Sequence, residues 1–384
     1  MLRVMPVFGT RPEAIKMMPL VKALRDAPGV ECTVCVTAQH REMLDQVLNR
    51  FKTAPQYDLN IMEDAQSLES LTSRVVSGVS GVLKSARPDL VLVHGDTTTT
   101  FASALAAFYQ KIPVGHVEAG LRSFNRYSPF PEETNRRLTA AIAELHFAPT
   151  AANRENLRKE NIVDNVYVTG NTVIDALQQT VEKDYRFRDA TLGALFNGQR
   201  RRGRLILLTA HRRENLGGPL ESICRAVRRI VLDNGDVEVV FPVHPNRDVR
   251  KAVQAAFDGL ERVYLTEPVD VWDMHNLMDA CYMVMTDSGG LQEEAPALGK
   301  PVIVLRRETE RPEICDAGKA VLAGTDEEDI CAHAHRLLHD QNAYRAMQKA
   351  ANPYGDGKAA PRIVQAILYW AGLSAEKPSE FAPR

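Results

Sequence analysis

The chain lacks the two glycine-rich phosphate loops that most readily betray a nucleotide enzyme. No Gly-x-Gly-x-x-Gly follows the first expected strand, and no Gly-x-x-x-x-Gly-Lys-Ser/Thr occurs anywhere. A dinucleotide site of the usual kind and a Walker loop are therefore unsupported. No run approaches the roughly 20 apolar residues of a membrane span. The N-terminus leads directly into a strand, Val4–Phe8, without the charged lead and apolar stretch of a secretory leader, so a cytoplasmic protein is expected. Charge of one sign is missing too. Lys and Arg total 47 against 49 Asp and Glu, a net −2, which favours neither nucleic acid nor an anionic membrane as a partner. The basic run Arg200-Arg201-Arg202-Gly203-Arg204 reads as a solvated loop before a strand. The six cysteines form no zinc pattern. Cys32 and Cys35 lie three apart in a strand-like run, where they point to opposite faces, and no second Cys/His pair follows. Buried cysteines in a reducing compartment are expected. No carboxylate cluster has clear metal spacing.

What is present is a long alternation of strand-like and helix-like segments. With 384 residues, 45% hydrophobic and 25% charged, the chain suits two globular domains. Short apolar runs predict strands at Val4–Phe8, Cys32–Thr37, Leu90–Val93, Val114–Val117 and Val166–Val168. After a polar stretch they resume at Leu205–Thr209, Val237–Val243, Val263–Leu265, Tyr282–Thr286 and Val302–Leu305. Helical spacing marks Pro12–Leu24, Ser70–Lys84, Thr100–Tyr109, Glu133–Ala143, Leu220–Leu232, Gly290–Leu298 and Ala360–Leu373. Such alternation implies parallel sheets covered by helices, an α/β protein of two Rossmann-like domains. Pro6 inside the first strand argues for an edge position, because proline cannot donate to the ladder. The alternation pauses at Glu182–Arg204, and the junction is placed near Asn171–Arg204.

Ligands of doubly wound sheets bind beyond the carboxyl ends of the strands, so the residues there carry the functional argument. After the first strand, Thr10 and Glu13 have capping-box spacing and Pro12 suits a first helical turn. Arg11 and Lys16 would then lie near a helix N-terminus, where anions bind; two surface cations on an ordinary capped helix explain them equally well. His94-Gly95-Asp96-Thr97-Thr98-Thr99-Thr100 follows the Leu90–Val93 run, Glu118 follows Val114–Val117, and Glu132 and Glu133 open a later helix. Each carboxylate alone could serve a helix N-terminus. Asp96, Glu118 and Glu132, arriving from three loops at one sheet edge, point instead to acid–base chemistry. His211, beside Arg212 and Arg213 at a strand end, suits a phosphate or a proton relay, with His244 a weaker parallel. In Asp287-Ser288-Gly289-Gly290 a strand runs into two glycines and a helix. There, backbone N–H groups and the Ser288 hydroxyl can cradle a diphosphate, and Glu294 can accept from ribose.

These motifs together resemble the non-hydrolysing UDP-N-acetylglucosamine 2-epimerases, of glycosyltransferase-B fold. The resemblance runs through Phe8–Glu13, Gln39–Met43, His94–Thr98, His116–Arg122, Pro131–Arg136, Thr169–Thr172, His211–Asn215, Asp287–Glu294 and Thr309–Glu313. It implies two doubly wound parallel-sheet domains with the active site in the cleft between them. These are drawn as 1–171 with a C-terminal helix of about 360–384, and 172–359 as the UDP-binding domain. It implies elimination of UDP to a 2-acetamidoglucal and re-addition giving UDP-N-acetylmannosamine, with no metal or nicotinamide cofactor, in surface polysaccharide synthesis. Asp96, Glu118 and Glu132 become the acid–base groups, supported by His211. Arg11, Lys16, Arg136, His211, Met274, Ser288, Gly289, Gly290, Glu294 and Arg311 hold UDP or sugar. Met274 replaces the aromatic residue often found near uracil in Asp270-Val271-Trp272-Asp273-Met274. Gln39, Glu42, Arg212 and His244 match parts of an activating UDP-GlcNAc site, although Ala65 stands where some members are basic. A homodimer is implied.

Overall fold

The computed structural model describes residues 1–38, 41–61, 66–196, 203–309 and 311–383. The chain divides into two compact units, Met1–Ala176 with Tyr354–Pro383, and Leu177–Pro353. The chain returns to the first unit at Tyr354, a few residues before the expected 360. There the backbone N–H of Asn171 donates to the Tyr354 carbonyl at 2.7 Å. Asp175 then accepts from the N–H groups of Ala359 and Ala360, anchoring the Ala359–Trp370 helix.

The first unit holds one parallel sheet. Its strands are β1 (Leu2–Phe8), β2 (Val30–Cys32), β3 (Cys35–Val36), β4 (Tyr57–Asp58), β5 (Leu90–His94), β6 (Val114–Val117), β7 (Leu145–Ala148) and β8 (Val166–Val168). The spatial order is β4-β3-β1-β5-β6-β7-β8, with β2 also paired to β1. Strand order therefore reverses between β1 and β5, which opens a crevice at their carboxyl ends. Met5, Val7, Val91 and Val93 pack one face of the sheet against Val75, Val79, Ala104 and Ala107 of the flanking helices.

Two expectations change here. Pro6 is not at an edge: β1 lies between β3 and β5, and Pro6 is opposite Leu92. Thr33 N–H donates to the Val4 carbonyl and Thr37 N–H to the Phe8 carbonyl, so even-numbered residues face the β2/β3 side. The Pro6 nitrogen thus meets the interval at Thr33–Val34, where the expected single strand Cys32–Thr37 breaks into β2 and β3. A missing donor is tolerated because the ladder is interrupted at that point. Cys35 is buried and Cys32 half-buried, and all six cysteines are free thiols. Burial pushes the Cys32 thiol up to about 11 and the Cys35 thiol up to about 12.

The second unit repeats the plan with β9 (Arg204–Thr209), β10 (Val237–Pro242), β11 (Val263–Thr266), β12 (Met283–Thr286), β13 (Val302–Val304) and β14 (Ala320–Leu322). All pairings are parallel, in the order β11-β10-β9-β12-β13-β14, so the reversal falls between β9 and β12. Ile206, Leu208, Phe241 and Met285 meet Ile223, Val227 and Ile230 of the Gly218–Asp233 helix in the core. Among the described residues, no helix is long and apolar enough to cross a membrane.

Candidate functional site

In each unit the chemistry-bearing residues gather at the strand-order reversal. In the first, Thr10 caps the Arg11–Asp26 helix and Glu13 completes the capping box. Glu13 does more than cap. One carboxylate oxygen accepts from the N–H groups of Gly9 and Thr10 at 3.0 and 2.7 Å. The other accepts from the hydroxyls of Thr97 and Thr100 at 2.6 and 3.1 Å. The loops after β1 and β5 are thereby tied through one buried carboxylate, whose pKa desolvation raises against those hydrogen bonds. Gly9 is needed for this approach, because a Cβ there would lie 2.0 Å from the Thr37 hydroxyl oxygen. Thr10 accepts from the Glu13 N–H, and Glu13 accepts from the N–H groups of Gly9 and Thr10 just ahead of the helix, so this start is a capped helix, one of the two readings its sequence left open. Its cationic character comes from Arg11 and Lys16 side chains.

The three expected carboxylates differ in their partners. Asp96 sits against Arg136, whose Nε donates at 2.9 Å and whose Nη2 lies at 2.7 Å, while the Asn135 amide holds the Asp96 carbonyl. Desolvation disfavours the charged Arg136, but Asp96 and Glu133 outweigh it and raise its pKa. Glu118, at a φ of +65°, is enclosed on both oxygens. Lys16 Nζ donates to Oε1 at 2.7 Å, the Asn171 amide reaches the same oxygen at 3.3 Å, and His94 Nε2 lies 3.1 Å from Oε2. Glu132, opening the Glu132–Ile142 helix, has a buried Oε2 without a hydrogen-bond partner among the described residues. Its neighbour Glu133 is fully buried and structural, accepting from the N–H groups of Ser123 and Phe124 and from Arg136. Beneath the carboxylates three buried histidines cross adjacent strands. Burial lowers His94 to about 4, His116 to about 3 and His146 to about 4, so all are neutral near pH 7. His116 Nε2 bonds to the Gly95 carbonyl at 2.8 Å and holds the Asp96 loop from below.

In the second unit the Gly289–Ala297 helix begins directly after β12. Ser288 is its N-cap residue but makes no side-chain cap bond among the described residues, so its hydroxyl does not occupy the first helical amides. Arg311 closes over them: a Cβ on Gly289 would lie 2.6 Å from Arg311 Nη1, so only glycine admits the guanidinium. Arg311 Nε donates to buried Glu293 at 2.5 Å, which fixes its stem. Glu294 lies over Gly290, its Oε1 3.4 Å from the position of a Cβ there, with His275 Nε2 3.7 Å from its other oxygen. Amides, a hydroxyl and a guanidinium around one helix start are groups that can donate to a phosphate.

Asp287 does not join that cradle, as the sequence reading had it. It is fully buried, and its Oδ2 accepts from the N–H groups of His211 and Arg212 at 2.8 Å each and from the Asn215 amide at 3.0 Å. Its role is to hold the loop after β9. The His211 and His244 rings stack with centroids 5.6 Å apart, and Arg212 follows His211 in the same loop. Met274 is half-buried in the first turn of the Val271–Ala280 helix, while the adjacent Trp272 is buried. Gln39, Ala65 and Glu310 lie outside the described residues, as do Arg200–Arg202 and the Glu42 side chain. The linking roles of Glu13, Glu133, His94, Asn171 and Asn215 were not read from sequence. For Glu13 the capping-box spacing was the available signal, and for His94 the strand-end position.

The paired sheets and their strand-end sites define a glycosyltransferase-B-like α/β enzyme of two Rossmann-like units. A family described as UDP-N-acetylglucosamine 2-epimerase matches residues 22–368. The UDP-N-acetylglucosamine 2-epimerase of Bacillus subtilis is 54% identical over 381 residues, covering 99% of this chain and 98% of that one. The Escherichia coli K12 enzyme of the same name is 50% identical over 371 residues, 95% and 98% of the two chains. The solved Neisseria meningitidis UDP-GlcNAc 2-epimerase bound to UDP-GlcNAc superposes with a TM-score of 0.86 at 47% identity, covering 96% and 100%. The chain belongs to the UDP-N-acetylglucosamine 2-epimerase family and is an isomerase.

Proposed function

We propose that this chain interconverts UDP-GlcNAc and UDP-ManNAc at C2 by eliminating UDP and adding the same UDP back. A base removes the C2 proton, the C1–O bond breaks, and its electron pair leaves with UDP, giving 2-acetamidoglucal. UDP then re-forms the C1–O bond as a proton reaches C2 from the opposite face. Atoms and charge balance without oxidation, and the reading assigns no cofactor. The observation that carries it is the set of three carboxylates at one sheet edge in three hydrogen-bonding states. Glu132 offers an oxygen without a hydrogen-bond partner among the described residues, whereas Asp96 and Glu118 are held by Arg136 and Lys16. A weakly acidic C–H needs a positioned base, and the departing diphosphate needs cations and amide donors.

In this reading Ser288, Gly289, Gly290 and Arg311 hold the diphosphate, Glu294 the ribose and Met274 the uracil. Arg11, Lys16, Arg136 and His211 serve the charge at the reacting end. Arg212 and His244, with Gln39 and Glu42, belong to a second, activating UDP-GlcNAc site. The enzyme works as a cytoplasmic homodimer and supplies UDP-ManNAc for surface polysaccharide. The test is incubation with UDP-GlcNAc alone in D2O. UDP-ManNAc carrying deuterium at C2 is expected by NMR. Unchanged UDP-GlcNAc until an acceptor is added would indicate a glycosyltransferase instead, and free ManNAc rising in step with UDP a hydrolysing enzyme.

A further inference from the structure

The side chain of Asp287 has one oxygen fully used and one not. Oδ2 takes three donors, from His211 N, Arg212 N and Asn215 Nδ2. Oδ1 is buried without a hydrogen-bond partner among the described residues and lies 3.5 Å from His211 Nδ1. An orphaned carboxylate oxygen in a residue with no exposed surface is costly, so its retention asks for a reason. The Asn215 amide also donates to the Leu305 carbonyl at 3.0 Å, and Thr209 and Thr286 share a hydroxyl bond at 2.6 Å just below. The carboxylate is therefore fixed from several sides, while the His211 ring, 40% exposed, faces outward from it. Burial of the ring opposes its protonation, as do His244, stacked upon it, and Arg212, whereas Asp287 favours it.

We infer that Asp287 is a positioning residue for His211, holding its Nδ1–H so that Nε2 is presented outward as the proton-accepting or phosphate-facing atom. A buried carboxylate behind an imidazole fixes tautomer and ring orientation and stabilises the imidazolium when it forms. The loop contacts alone would need only Oδ2. The role of His211 in turnover rests on the function proposed above, but the tautomer does not.

Asp287→Asn separates the two duties, since the amide oxygen can keep the three loop bonds while the anion is lost. Turnover of Asp287→Asn is expected to fall about 100-fold or more, with UDP affinity changed less than about threefold, and the His211 pKa is expected to drop. Asn215→Ala, which removes the bonds to Oδ2 and to the Leu305 carbonyl but leaves Oδ1, should lose less than about tenfold. The ring is read directly by 15N NMR of histidine-labelled, UDP-free protein. Protonated Nδ1 and bare Nε2 in the wild type are expected. A His211 protonated at Nε2, or a His211 pKa unmoved in a folded Asp287→Asn protein, would overturn the inference. A wild type that leaves UDP-GlcNAc untouched would sink the epimerase reading and leave this NMR result standing.

Discussion

At the scale of single residues, the partners of the three acids set what each substitution does. Among the described residues Glu132 Oε2 has no hydrogen-bond partner, so Glu132→Gln breaks no hydrogen bond of that oxygen. Its turnover is expected to fall by about 10²–10⁴ with an unchanged melting temperature, measured by NMR assay and thermal unfolding. Glu118→Gln differs. It leaves Lys16, only 17% exposed, facing a neutral amide. Loss of turnover should come with a loss of roughly 1–3 kcal/mol in stability. Equal stability costs for the two variants would contradict the division between a free acid–base group and a clamped one. Residue types and strand-end positions singled out all three acids as candidates in the sequence. Their partners were not, because Lys16, Asn171 and Arg136 lie 102, 53 and 40 positions from the acids they hold.

At the scale of elements, two helix starts with similar sequence promise have opposite fates. The Arg11–Asp26 helix is capped by its own Thr10 and Glu13. The Gly289–Ala297 helix has no side-chain cap, and Arg311 leans over its first residue. Gly289→Ala tests this. The new methyl would meet the far end of a flexible side chain, so the guanidinium is displaced while the helix survives. UDP affinity by calorimetry should weaken about 10-fold, the worth of one charge-assisted hydrogen bond, with little change in circular dichroism. Unaltered UDP affinity would remove Arg311 and Gly289 from the phosphate site. Pro6 teaches a related point. The local rule expected an edge strand, but the tolerance came from a break in a neighbouring strand about 30 residues on, which no window around Pro6 contains.

At the scale of the whole molecule, buried histidines make the first unit acid-sensitive. His94 and His146 are held near 4 and His116 near 3, all by burial, against 6.5 in an exposed ring. Between about 6.5 and 4 the unfolded chain binds more protons than the folded one. Stability therefore falls as pH drops through that window, by up to about 1.4 kcal/mol per pH unit for each ring. Asp175 works the other way. Burial raises it to about 6 from 3.8, so its contribution is larger below that window than above it. Glu13, which burial also raises, acts as Asp175 does, and the three rings outnumber these two carboxyls and leave a net loss on acidification. Hydrogen exchange between pH 7 and 4.5 should show β5, β6 and β7 losing protection as the pH falls. Constant protection across that range would show that the rings do not resist protonation.

The sequence by itself determined the alternation of strands and helices, the two Rossmann-like domains and the family. Those features depend on local periodicity and on short motifs whose residues are neighbours in the chain. It also placed the candidate functional residues at strand ends, because parallel sheets with crossover helices put their loops there. Tertiary structure alone decided how those residues are used. Asp287 reads as the start of a phosphate cradle, yet it is buried beneath His211 by bonds to residues 72 to 76 positions away. Glu133, next to the candidate acid Glu132, became a structural tie for the Ser123–Phe124 loop. A carboxylate's work is set by which oxygens are already occupied, and that depends on partners brought together only when the sheet is assembled.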